Sequence, residues 1–151
     1  MYVAELNDDL LSLKTEGVLV SKPEMDYEKA NYEYNGQKVY WNEGPFVIKH
    51  NGLYHLMYSA NYFASRDYCL CCAVSKYPNK EFVKYDKPVL GAIEGVMSGP
   101  GHNSALKLGD NEYVCMYHVL TDDNNPSFDR QIFMSKMKFV NDKIVIEKPE
   151  I

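Results

Sequence analysis

The chain repeats itself. The alternating run Leu53-Tyr54-His55-Leu56-Met57-Tyr58-Ser59 returns as Glu112-Tyr113-Val114-Cys115-Met116-Tyr117-His118. Tyr54 and Tyr113 lie 59 positions apart (113 − 54), and the same shift carries Met57 to Met116 and Tyr58 to Tyr117. It also carries Glu43, in Trp41-Asn42-Glu43-Gly44-Pro45-Phe46, to His102, in Ser98-Gly99-Pro100-Gly101-His102-Asn103-Ser104. Ala73-Val74-Ser75-Lys76 and Phe133-Met134-Ser135-Lys136 follow at an offset of 60 (135 − 75). Alternation of apolar and polar residues is the pattern of half-buried strands. One unit therefore reads strand, hairpin, strand, polar loop, strand and outer segment. Asn51-Gly52 and Gly109-Asp110-Asn111 supply the hairpin turns. The period exceeds the roughly 40–50 residues of common propeller repeats, but insertions between blades are ordinary. A four-stranded blade beside its neighbours around a channel fits this unit. The first strand of each blade would lie nearest the axis, placing Glu43 and His102 at the centre.

The predicted fold is all-β, a partial propeller forming one domain over residues 1–151. Residues 1–25 read as the end of a preceding blade, because Tyr2-Val3-Ala4-Glu5-Leu6 looks like a third strand. Residues 40–95 form the blade with Glu43, and residues 96–151 the blade with His102. Val89–Leu90 is a further candidate strand after the third strand of the first blade, and Asp26–Tyr34 is a turn or short helix. Two blades cannot close a ring, and repeat units bury their faces against neighbours. A homo-oligomer or a complementing N-terminal half is the expected partner. With 151 residues and 46% hydrophobic content, the chain is large enough for a core. A net charge of −5 argues against nucleic acid. No run approaches a membrane span, and the N-terminus lacks the basic and apolar regions of a signal peptide, so a cytoplasmic location is expected for the chain as given. Cys69, Cys71, Cys72 and Cys115 lack the paired spacing of zinc ligands and read as small buried hydrophobes.

The elements Asn42-Glu43-Gly44-Pro45-Phe46, Lys49-x-x-Gly52-x-Tyr54-x-Leu56-x-Tyr58-Ser59, Ser98-Gly99-Pro100-Gly101-His102-Asn103-Ser104, Tyr117-His118 and Asp129-Arg130 resemble those of the family-43 glycoside hydrolases. These are five-bladed β-propellers, and the likeness runs from Tyr2 to about Ile146, nearest to the xylosidase and arabinofuranosidase branch. It implies hydrolysis of pentose-containing glycans, with an oligosaccharide or polysaccharide as substrate. The resemblance passes the general-acid role to Glu43. It places His102 at the pocket base, near a central Ca²⁺ or Na⁺ ion or water, with no cofactor required. It turns Arg130 toward substrate hydroxyls. The family's Asp general base and its second Asp belong to blades upstream of anything present, and Asp8 and Asp9 sit in a polar loop unsuited to replace them.

Each residue also has a plainer reading. Glu43 alone would be a surface carboxylate at a strand entrance, and His102 a packing residue in a glycine-rich turn. Arg130 could simply pair with Asp129. His118 reads as strand-end packing or as a pocket wall. Trp41, Tyr58 and Phe63 are candidates for stacking on sugar rings, using an apolar face with a polar handle where one exists, and each alone would be core. Two other readings stand beside hydrolysis. One is an inactive remnant that binds carbohydrate or self-associates. The other is another propeller glycosidase or a phosphorylase, against which the lack of a basic phosphate-binding cluster speaks.

Overall fold

The computed structural model describes residues 1–30, 32–121 and 129–149. It contains twelve strands and one short 3₁₀ turn, Asp26–Glu28, among these residues. A small antiparallel pair, β1 (Tyr2–Val3) and β2 (Val18–Leu19), opens the chain. A second pair, β3 (Glu33–Tyr34) and β4 (Gln37–Lys38), follows the 3₁₀ turn. Two four-stranded antiparallel sheets make up the rest. The first is β5 (Asn42–His50), β6 (Leu53–Ala60), β7 (Cys69–Ser75) and β8 (Val83–Lys84), in that order. The second is β9 (Ser98–Gly109), β10 (Glu112–Leu120), β11 (Arg130–Val140) and β12 (Lys143–Ile146). They are two consecutive blades, each an up-and-down meander.

The turns follow the local chemistry. Asn51 (φ 47°) and Gly52 (φ 78°) both take left-handed backbone between β5 and β6, as a type I′ turn requires. Asn111 (φ 56°) does so between β9 and β10. Its side chain donates to the Phe139 carbonyl at 2.9 Å and accepts from the Phe139 N–H at 2.8 Å, tying the hairpin to β11.

The core lies between the blades. Met57, Leu70 and Cys72 of the first blade meet Tyr113, Cys115, Tyr117, Val119, Met137 and Phe139 of the second. The opposite face of the first blade, Leu56, Tyr58, Cys69 and Cys71, is covered by Met1, Val20 and Tyr27. Alternation thus sends Cys69 and Cys71 one way and Cys72 the other. All four cysteines are buried and free; burial pushes the Cys72 and Cys115 thiols up to about 12, so they stay protonated.

A charged lock holds the N-terminal segment to the first blade. Glu28 is fully buried. Its carboxylate accepts from Lys84 Nζ at 2.6 and 2.7 Å, Tyr58 Oη at 2.7 Å and the N–H groups of Glu24 and Met25 at 2.7 and 2.8 Å. Burial would raise its pKa, but these donors outweigh it and hold the group below its ordinary value.

Three expectations need correction. The motif residues open β5 and β9. In the inner strands, Glu43 pairs with Ser59 and Gly101 with His118, while Phe46 pairs with Met57 and Ser104 with Met116. The true offset here is 58 (104 − 46), so Gly44, not Glu43, is the counterpart of His102. Both sit in a β-bulge, and both have positive φ, 60° and 51°. In the third strands, Cys72 faces Met57 and Met134 faces Met116, an offset of 62 (134 − 72). Finally, the fourth strand is Val83–Lys84, while Leu90 makes only an isolated bridge to Leu70.

Candidate active site

Each blade's inner strand opens with a bulge, and the bulges bring the motif side chains together. β9 packs against β5, β6 and β7. The extra residue in β5 bends the strand where Glu43 leaves it, and the extra residue in β9 does the same at His102. Glycines make the approach possible. A Cβ on Gly44 would lie 3.2–3.3 Å from the His102 ring, and one on Gly101 would lie 1.8 Å from the Tyr68 ring. Gly44 of the first motif is thus required by the histidine of the second, and Gly101 by a tyrosine from the first blade.

The hydroxyl of Tyr68 is the hub. It donates to Glu43 Oε1 at 2.6 Å and lies 3.0 Å from His102 Nδ1. Glu43 Oε1 and His102 Nδ1 are 3.9 Å apart, with side chains 33% and 52% exposed. The site is therefore open to a ligand while its hub is not: the Tyr68 ring is fully buried. Burial foremost, then the bond to Glu43, raises the Tyr68 pKa above the ordinary phenol value. The His102 N–H donates to Ser59 Oγ at 2.8 Å, fixing the bulge.

His118 completes the wall. Its ring stacks on Tyr68 (centroids 5.7 Å, planes 9° apart) and on His102 (6.0 Å, 20°). Neither ring nitrogen has a hydrogen-bond partner among the described residues. Burial first, then the charges of Arg130 and His102, pushes its pKa down to about 4. Arg130 lies at the start of β11, its guanidinium 5.3 Å from the centre of the Phe63 ring. Phe63 touches Tyr62 edge-on, and Tyr62 stacks on Tyr32 at 4.2 Å with Trp41 edge-on to both. An aromatic wall thus runs from Trp41 to Arg130.

The structure gathers Glu43, His102, His118, Arg130, Phe63 and Trp41 at one end of the inner strands. Tyr58 is not among them. It is fully buried beneath the N-terminal segment with its hydroxyl on Glu28, so no sugar can stack on it. Asp8 and Asp9 are exposed, and Asp9 accepts from the Leu11 N–H in a local turn. Tyr68 was invisible to motif reading; its one trace is the Gly101 that makes room for it. Among the described residues no three His, Cys, Asp or Glu side chains gather around a point. Ca²⁺ takes six to eight oxygen ligands, and among the described residues the carboxylate beside His102 is that of Glu43, which does not by itself form the expected ion site.

Two adjoining blades with a carboxyl and an imidazole at the head of their inner strands, and a guanidinium at the start of β11, define a partial β-propeller with a polar axial site. The sequence model of the glycosyl hydrolases family 43 matches residues 1–145, and the chain belongs to that family. It is similar to a thermostable family-43 glycoside hydrolase of known structure, with 38% identity, a TM-score of 0.87, and coverage of 98% of this chain and 47% of that one. It is also similar to an endo-1,4-β-xylanase structure from Bacteroides thetaiotaomicron, with 28% identity, a TM-score of 0.82, and coverage of 97% and 49%. A β-D-galactofuranosidase of Aspergillus niger is 28% identical over 116 residues, 77% of this chain and 29% of that protein. The chain thus spans about half the length of these solved relatives and less of the galactofuranosidase.

Proposed function

We propose that this chain carries the acid side of a glycoside-hydrolysing site, of β-xylosidase or α-L-arabinofuranosidase type, acting on pentose-containing glycans. Glu43 is the general acid. Glycoside hydrolysis uses two carboxyl groups on opposite sides of the bond, about 6.5–9.5 Å apart in inverting enzymes. The acid protonates the leaving oxygen as the C–O bond breaks. The observation that carries this role is the bulge-mounted Glu43, one oxygen held by Tyr68 at 2.6 Å and the side chain open to a ligand. His102 and Arg130 supply polar contacts to sugar hydroxyls, and Trp41 and Phe63 an apolar wall. The activities of its relatives, a xylanase and a galactofuranosidase, support a glycan substrate.

Among the described residues, the carboxylate bonded to Tyr68 is that of Glu43. In this reading the base comes from upstream blades, from a complementing half or from a second copy. That carboxylate also favours a second reading, a sugar-binding half-site without turnover. The test is hydrolysis of aryl β-xyloside and aryl α-arabinofuranoside by wild type and Glu43→Gln. Each is assayed alone and mixed with a chain carrying the remaining N-terminal blades of a family member. Turnover that falls by about 10²–10⁴-fold in Glu43→Gln supports the acid role. Turnover indifferent to Glu43, or saturable xylose or arabinose binding with no turnover in any mixture, refutes it, and the latter outcome supports the half-site.

A further inference from the structure

Tyr68 stands at the mouth of β7, in no recognisable motif, yet its hydroxyl is the joint between the two blades' chemistry. Its ring has no freedom. Gly101 lies against its edge so closely that a Cβ there would fall 1.8 Å away. His118 stacks on it with planes 9° apart. The whole residue is buried, and its hydroxyl lies 2.6 Å from Glu43 Oε1 and 3.0 Å from His102 Nδ1.

A phenol has one proton. Spent on Glu43, it leaves none for His102, whose Nδ1 must bring its own proton and donate to the Tyr68 oxygen. The neutral imidazole is then the Nδ1–H tautomer, with Nε2 an acceptor. We infer that Tyr68 is a positioning residue for the acid: it holds Glu43 Oε1, leaves Oε2 to present the proton, and locks His102 with Nε2 as an acceptor for a sugar hydroxyl.

This rests on the acid role of Glu43 proposed above. The proton passes from Oε2 to the glycosidic oxygen as the C–O bond breaks, and its departure leaves a carboxylate on Glu43. A hydroxyl donated to a carboxylate is stronger than one donated to a neutral acid, and at 2.6 Å Tyr68 is already placed to make that bond. Tyr68 therefore binds the transferred state better than the ground state, which is what lowers a barrier.

The test has a readout that needs no turnover. Two-bond ¹H–¹⁵N correlation on histidine-labelled full chain, well above the imidazole titration range, reads the tautomer of His102 directly. Wild type is expected to show Nδ1–H, and Tyr68→Phe, which keeps the ring against Gly101, to revert toward Nε2–H. Nε2–H in wild type, or a tautomer unmoved by Tyr68→Phe, overturns the lock. The catalytic half is read in whichever preparation shows Glu43-dependent hydrolysis. Tyr68→Phe should lower kcat about 10–100-fold on a sluggish alkyl leaving group, with KM little changed. On a dinitrophenyl leaving group, which needs no acid, it should be near wild type. Equal losses on both overturn the positioning role. Absence of hydrolysis in every preparation, with the Nδ1–H signature intact, removes the acid reading and the catalytic half while the hydrogen-bond lock stands.

Discussion

The two blades share a strand plan but not a fate. On the first, Met57 and Cys72 are fully buried and Ile48 packs beside them, all covered by the second blade. Their counterparts by pairing register are Met116, Met134 and Leu106, which are 37%, 63% and 57% exposed. The sequence pattern is the same in both: apolar residues on the face that looks toward the next blade. What differs is whether a next blade lies against it within the described residues. The repeat therefore encodes a face, and burial comes only from the neighbour. The first blade also has a second cover, since Glu28, on the N-terminal segment, reaches Lys84 of its fourth strand.

The largest effect should come from breaking that lock. Lys84→Met leaves the Glu28 carboxylate buried without its cation, and such a loss costs about 3–5 kcal/mol. Urea unfolding would show it. A cost under about 1 kcal/mol would mean that the N-terminal segment is not bound to the first blade as the geometry indicates. Glu28→Gln with Lys84→Met should recover part of the loss, because no uncompensated charge remains.

Next comes the direct comparison of equivalent methionines. Met57→Ala should cost about 2–5 kcal/mol, as expected for a buried side chain whose cavity cannot collapse. Met116→Ala should stay within about 0.5 kcal/mol. Equal costs would break the contrast between the blades. A Met116 cost that grows with protein concentration would show that a second copy covers this face in solution.

Much of this was legible in the sequence because a repeat is read twice. The strands, the Asn51-Gly52 turn, the split of Cys69 and Cys71 from Cys72, and the meeting of Glu43 with His102 all follow from period-2 alternation and spacing. The errors share one physical origin. A bulge inserts a residue without marking itself, so the inner-strand offset is 58, and counting at 59 matched His102 to Glu43 instead of Gly44. Loop length differs between the second and third strands, so the shared Ser-Lys ends are out of register. Alternation says that Tyr58 and Met57 face opposite ways, but not which face meets the next blade and which meets Glu28. Tyr68 is 25 residues from Glu43 and 34 from His102 in sequence, and only a folded chain brings their side chains within hydrogen-bond reach.

The smallest and most gradual effect should be on pH dependence, and it too separates the blades. His55 is fully buried between them, neither ring nitrogen partnered among the described residues. Burial first, then the neighbouring His50, lowers its pKa, with Asp142 opposing. The His50 ring stacks on Phe139 at 3.8 Å and Phe139 touches His55, so the pair sits in the seam. A histidine whose folded pKa is depressed binds its proton more readily when unfolded. Stability from this group is therefore complete above the unfolded value, about 6.5, and falls as pH drops below it. His118 adds a second contribution of the same sign, spread from about 6.5 down to its folded value of about 4. Glu28 acts in the same direction only further down, since its folded pKa is held below the ordinary 4.5. The second blade carries Val114 at the position of His55, by the 59-residue shift (114 − 55). His55→Val thus gives the first blade what the second already has. Thermal midpoints measured between pH 8 and pH 5 should fall less steeply in His55→Val than in wild type, the two curves parting below about pH 6.5. Parallel curves would mean that His55 keeps its proton in the fold and that the seam accommodates a charge.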